Sequence, residues 1–218
     1  MQISFTEENY LKAIYHLSTE GKVSTNELSK YFSLKPASVT EMLKKLNDKK
    51  LIKHQKYKPV SLTKKGSDIA IKIIRGHRLW EKFLVDKLNY NWHEVHDIAE
   101  QLEHIKSDDL LNKLEKYLGY PKFDPHGDPI PDKNGILHPI KAKVLNKIKT
   151  IGNYKLIGLT KHNQKLLEFL NAIKLNLNEV FLIQKINLID NSFQLKIKKR
   201  DAVLISNDVA SLLLVNKI

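Results

Sequence analysis

Five of the seven prolines, Pro121, Pro125, Pro129, Pro131 and Pro139, crowd into one short stretch, and the apolar pattern changes period across it. Proline lacks an amide hydrogen and has a fixed φ, so neither a helix nor a central strand runs through such a stretch. Residues 119–139 are therefore expected as a structured loop or linker. Before it, apolar residues recur at helical spacing. After it they alternate as in strands. The fold class expected is mainly α with a small β domain. The expected divisions are 1–66, 67–139, a tether over 140–154, and 155–218.

The first part reads as short, capped helices. Thr6 is expected to cap helix one, with Glu7 and Glu8 suiting its positive end. Tyr10, Leu11, Ile14, Tyr15 and Leu17 form its apolar stripe and Gly21 ends it. Ser24 or Thr25 caps a second helix, Asn26 to Phe32. Pro36 suits the first turn of a third, whose buried stripe is Val39, Met42, Leu43 and Leu46. Residues 51–62 then alternate as a hairpin with a basic tip. Thr63 to Gly66 opens a long helix that runs to about Leu88. Three helices and a hairpin in about 60 residues make the winged helix-turn-helix pattern. In that arrangement the third helix enters the major groove of double-stranded DNA. Lys35, Pro36, Ala37, Ser38 and Glu41 would then face base edges, with Lys44 on the same exposed side. Lys53, Lys56 and Lys58 on the wing would contact phosphates, which fix register but carry no sequence information.

A second helical block is expected from His93 to about Leu118, with Leu102, Ile105, Leu110, Leu111, Leu114 and Leu118 as its apolar positions. With helix 66–88 it makes a helical dimerisation unit, since groove readers work as symmetric pairs on half-sites. Beyond the linker, strands are expected at 156–159, 180–186, 193–197, 202–205 and 212–215, with a helix over 163–172. Short strands with polar turns suggest a small barrel.

The formal net charge is +13. Residues 1–65 hold 13 Lys against 6 acids, 66–120 hold 8 basic against 10 acidic residues, and 121–218 hold 16 against 8. Between 35 and 65 there are ten Lys and two acids. Basic flanks of this kind attract polyanions, nucleic acid first among them; a Lys-rich composition overall is the alternative. No apolar run approaches the ~18 residues of a membrane span. The first residues lack the basic and apolar regions of a signal peptide. The absence of cysteine excludes disulfides and thiolate metal sites and fits a cytoplasmic protein.

The mildly acidic middle carries two groups of metal-type side chains. Successive helical residues rotate by about 100°, so His96, Glu100, Glu103 and His104 share one face of a continuous helix. His77 and Glu81, four apart, share another. Imidazole nitrogen and carboxylate oxygen suit divalent first-row metals. Surface salt-bridging is the alternative for either group alone; two groups on neighbouring helices favour metal. Carboxylates gathered without a cation would repel one another, and a dication would pair them, which describes a switch. A di-metal carboxylate enzyme would draw on four helices. Here Glu–x–x–Glu–His occurs once, and no Ser/His/Asp set or glycine-rich phosphate loop is present. A regulator is expected, not an enzyme. A winged-helix regulator that ignores metal and answers to another ligand is the remaining alternative.

Several stretches resemble the diphtheria-toxin-repressor and manganese-transport-regulator family of metal-dependent repressors: Tyr10-Leu11-Lys12-Ala13-Ile14-Tyr15, 39–46, 62–66, Gly76-His77-Arg78-Leu79-Trp80-Glu81-Lys82-Phe83-Leu84, and Val95-His96-Asp97-Ile98-Ala99-Glu100-Gln101-Leu102-Glu103-His104. The run 124–131 resembles the family's Pro-rich turn, and the last 60 or so residues its SH3-like (FeoA-type) domain. The resemblance covers nearly the whole chain. It implies a homodimer that binds palindromic operator DNA when loaded with Mn(II) or Fe(II), two ions per subunit, and represses metal-uptake genes. It implies Glu100, Glu103 and His104 as primary ligands, with Asn9 where the family has Met or Asp. His77, Glu81 and His96 would belong to an ancillary site, completed by Asp124, His126 and His162. Glu100 stands where the iron-responsive subgroup has Cys, and a hard carboxylate there favours Mn(II). Lys12 stands where the two-domain manganese regulators carry Glu, which argues against their binuclear arrangement. A bound ion would draw helix one toward 93–118 through Asn9.

Overall fold

The computed structural model describes residues 3–55, 58–137, 141–161, 164–198 and 201–218. Three residues singled out from the sequence, Lys56, Pro139 and His162, lie outside these. The chain divides into two compact units: Met1–His77 with Glu100–Asn112 and Pro131–Ile136, and Arg78–Ala99 with Lys113–Ile130 and Leu137–Ile218.

In the first unit α1 spans Phe5–Glu20 and is capped by Ser4, not by Thr6 as expected. Ser4 Oγ accepts from the Glu7 amide at 3.3 Å, and the Glu7 carboxylate accepts from the Ser4 amide at 2.8 Å. This reciprocal box satisfies two terminal donors, so the helix begins earlier than a lone Thr6 cap would allow. Ser24 and Glu27 repeat the device for α2 (Thr25–Phe32), and Pro36 opens α3 (Pro36–Asp48). Strands β1 (Ile52–Lys53) and β2 (Ser61–Leu62) pair antiparallel as the wing. Tyr10, Leu11, Ile14, Leu28, Val39, Leu43, Leu46 and Ile52 form the core beneath them.

Helix α4 (Lys64–Leu88) begins against that core. A Cβ on Gly66 would stand 2.0 Å from the Leu51 carbonyl oxygen, so only hydrogen fits. The expected single helix over 93–118 is two, α5 (His96–Leu102) and α6 (Asp108–Tyr117). The break has a local cause. Ser107 Oγ accepts from the Leu110 amide at 3.2 Å, and Asp108 and Asp109 occupy the first turn, which starts a new helix there. Glu103 and His104 consequently sit in the turn that follows α5.

In the second unit Leu79, Leu114 and Ile130 pack with Trp80, Phe83 and Leu118. The Pro-rich run folds back on itself: the Ile130 amide donates to the Lys122 carbonyl at 2.8 Å. Gly127 has φ +91°, and a Cβ there would stand 2.3 Å from the Ile157 carbonyl oxygen. Six antiparallel strands follow in spatial order β3-β8-β4-β5-β6-β7. They are β3 (Lys143–Val144), β4 (Gly152–Leu159), β5 (Val180–Ile186), β6 (Phe193–Ile197), β7 (Ala202–Ile205) and β8 (Leu213–Lys217). Helices α7 (Gln164–Ala172) and α8 (Asn207–Ala210) lie between strands in the sequence. Tyr154, Leu156, Phe181, Ile183, Phe193 and Leu195 fill the core, together with Trp92. Within the stretch read as a tether, Lys143 and Val144 pair with β8, and Leu145 and Ile148 are buried. The structure is thus helical in its N-terminal half with a C-terminal antiparallel β domain. Among the described residues no helix is long and apolar enough to cross a membrane.

Candidate metal centres and nucleic-acid interface

Helix α1 brings Glu8 and Lys12 to the turn after α5. Lys12 Nζ lies 2.6 Å from Glu103 Oε1 and 3.2 Å from Glu100 Oε1. The other Glu103 oxygen accepts from His77 Nδ1 at 2.6 Å. The Glu103 side chain is fully buried. The expectation that these carboxylates stand unpaired and repel one another is therefore corrected: an ammonium group joins them. Burial works to discharge Lys12, but the carboxylates of Glu103 and Glu100 outweigh it and raise its pKa. Burial likewise works against a charged Glu103, yet His77 and Lys12 prevail and hold it below the usual carboxylate range.

His104 faces a different partner. Its Nδ1 donates to Glu8 Oε2 at 2.6 Å, while Nε2 lies 3.9 Å from Glu103 Oε1. Lys106 Nζ takes the second Glu8 oxygen at 3.1 Å. Phe5 stacks on the His104 ring with centroids 4.5 Å apart. Asn9 Oδ1 is buried without a hydrogen-bond partner among the described residues; such an orphaned acceptor costs about 1–3 kcal/mol.

The second cluster belongs to the second unit. Glu81, Asp124 and His126 are buried, and one ligand atom from each lies within 4.8 Å of the others. His126 Nε2 donates to the Trp92 carbonyl at 2.7 Å, which leaves Nδ1 turned to Glu81 Oε2 at 3.4 Å. Burial lowers the His126 pKa, but Glu81 and Asp124 overcome it and hold it up at about 9. Burial, then Asp128 and Glu81, push Asp124 up to about 7. Asp124 Oδ1 also accepts from the His126 and Asp128 amides at 2.8 and 2.9 Å, and Arg78 Nε stands 3.7 Å from Oδ2. The ring of His96, 3.5 Å from Glu81 Oε1, is 61% exposed. A cleft of about 500 Å³ opens beside it, lined by His93, His96, Asp97, His126 and, from α7, Gln164 and Glu168.

Both clusters pass a chemical test for a divalent ion. Their donors are carboxylate oxygen and imidazole nitrogen, which Mn(II) and Fe(II) accept. A ligating histidine characteristically donates its other ring N–H to a carboxylate or a backbone carbonyl. His104 does so to Glu8, and His126 to Trp92. Sequence reasoning missed Glu8 and the partner role of Lys12. Their signal was visible, since positions 8 and 12 share a face of α1.

In the first unit, Lys35, Pro36, Ala37, Ser38, Glu41 and Lys44 are all exposed on or just before α3. Lys53 and Lys58 are exposed on the wing. Glu7, buried, ties α1 to α3 through Lys49 at 2.7 Å and Lys45 at 3.6 Å. Burial opposes the charge on Glu7, but Lys49, the Ser4 amide and Lys45 hold its pKa below the ordinary value.

The family model "Iron dependent repressor, N-terminal DNA binding domain" matches residues 2–60. "Iron dependent repressor, metal binding and dimerisation domain" matches residues 63–132. The iron-dependent repressor IdeR of Mycobacterium tuberculosis is 34% identical over 127 residues, 58% of this chain and 55% of that protein. A probable metal transport system membrane protein of Chlamydia trachomatis is 47% identical over 73 residues, 34% of this chain and 16% of that protein. The chain thus spans about half, or less, of the length of these curated relatives. Among solved structures, a manganese-dependent transcriptional repressor in complex with manganese superposes with a TM-score of 0.83 at 30% identity, covering 97% of this chain and 100% of that one.

Proposed function

The chain belongs to the diphtheria-toxin-repressor family of metal-dependent transcriptional repressors, and from that premise we propose that it is a Mn(II)-responsive repressor of metal-uptake genes. It binds palindromic operator DNA as a homodimer when metal-loaded. Asn9, Glu100, Glu103 and His104 would hold one ion and Glu81, His96, Asp124 and His126 a second. His77 would stay beside Glu103 as a hydrogen-bond donor. Residues 1–66 act as the reading head, 67–139 as the metal-binding and dimerisation part, and 155–218 as the SH3-like β part.

The observation that carries this proposal is the double duty of α1. It seats Glu8 and Lys12 at the carboxylate–imidazole cluster, and it supplies Tyr10, Leu11 and Ile14 to the core under α3. A bound dication would balance the carboxylate charge and tie α1 to the turn after α5. Such an ion shifts the equilibrium only by its differential affinity for the DNA-competent form. Exposed Leu88, Tyr90, Tyr117 and Tyr120 offer apolar surface for a second copy. The manganese-bound neighbour supports Mn(II) over Fe(II). The likeness to a metal-transport protein supports uptake genes as targets. Operator binding places the protein with the chromosome, in the cytoplasm.

A gel shift on candidate operators with Mn(II), Fe(II), Zn(II) and chelator in parallel tests the proposal. Retardation is expected with Mn(II) and none in chelator. Equal retardation in chelator would overturn it in favour of a metal-independent regulator.

A further inference from the structure

Both oxygens of Glu103 are taken, Oε2 by His77 and Oε1 by Lys12, each at 2.6 Å. Glu100 Oε1 shares the same ammonium at 3.2 Å. A dication that uses Glu103 must displace one of these partners. His77 can remain as a neutral donor to a ligating carboxylate, as outer-shell groups do. Lys12 cannot: it is a cation on the oxygens that the ion requires, and like charges a few ångströms apart repel strongly where water is scarce. Its side chain is only 10% exposed, so it is held in the cluster and is not a passing surface contact.

We propose that Lys12 is a tethered counter-ion of the Glu100–Glu103 pair, which an incoming divalent ion must expel, and that it thereby sets the metal concentration at which the protein responds. The proposal rests on the metal-binding role given to Glu100, Glu103 and His104 above. Without metal, Lys12 keeps the two carboxylates gathered, so the donors are already assembled. With metal, one tethered charge is exchanged for two. The exchange favours dications over monovalent ions and weakens every ion that uses this site. It leaves the Glu81–Asp124–His126 cluster untouched.

The test uses the full chain and Mn(II). Manganese binding is followed by the loss of the free-ion electron paramagnetic resonance signal in wild type, Lys12→Gln and Lys12→Arg. Lys12→Gln should bind one ion about tenfold tighter, roughly the weight of one unit charge removed beside a dication in screened surroundings. Lys12→Arg, still a cation, should keep the wild-type affinity. Wild type alone gives a second readout that needs no variant to fold. Acetylation of Lys12 by an amine reagent, read by mass spectrometry, should rise when Mn(II) is added. Equal Mn(II) affinity in wild type and Lys12→Gln, or tightening in Lys12→Arg, or Lys12 labelling unchanged by Mn(II), would overturn the proposal while leaving metal binding in place. A wild-type chain that takes up no Mn(II) at all would overturn the metal assignment itself and this proposal with it.

Discussion

Glu8 acts through His104: by accepting its Nδ1–H it leaves Nε2 as the ring's lone-pair donor. Outer-shell carboxylates of this kind are worth about 10–100-fold in metal affinity. Glu8→Gln should weaken Mn(II) binding by that factor with little change in fold, and isothermal titration reads it directly; unaltered affinity would remove Glu8 from the role. Gly127 is a structural counterpart. At φ +91° and with the Ile157 carbonyl in the way of any Cβ, Gly127→Ala should cost at least about 2 kcal/mol. Thermal unfolding would show it, and a variant as stable as wild type would mean that the Pro-rich loop does not press on β4. The types of the metal-site residues were legible at this scale, since Glu and His at helical spacing stand out in a sequence. Their partners were not. Lys12 meets Glu100 and Glu103 across 88 and 91 residues of chain, a separation at which no local pattern operates.

At the scale of the elements, periodicity and capping chemistry do most of the work. The three helices and wing of the reading head fall where the apolar stripes put them, as do β5, β6 and β7. The error over 93–118 arose because Leu102, Ile105, Leu110 and Leu111 keep a helical period straight through the break; the Ser107 cap competes with that period and wins. The wing and α3 present their exposed lysines on separate elements. Lys58→Ala should weaken binding to all DNA alike and lower the salt slope by about 1, because a phosphate contact releases counterions without reading bases. A loss confined to one operator in fluorescence anisotropy would contradict that. Glu7 both caps α1 and ties it to α3. Glu7→Gln should therefore lower stability by about 1–2 kcal/mol, measured as a lower urea midpoint. An unchanged midpoint would show that the tie contributes nothing.

For the molecule as a whole, binding of metal and of operator must be linked if both bias the same form. Operator DNA should then tighten Mn(II) binding by the same factor by which Mn(II) tightens DNA binding. Manganese titrations with and without operator would measure it, and identical curves would reject the coupling. The order of helices, wing, Pro-rich loop and strands followed from sequence alone, because capping, proline and hydrophobic period act over a few residues and need no distant partner. So did the oxygen and nitrogen character of the candidate ligands, which residue type dictates. Only the tertiary structure decided which of those side chains meet. It set Lys12 between two carboxylates, turned His104 to Glu8 and His126 to the Trp92 carbonyl, and brought Glu81, Asp124 and His126 together. Such contacts join residues far apart in the chain, and the packing of whole helices and loops, not any local rule, brings them within reach.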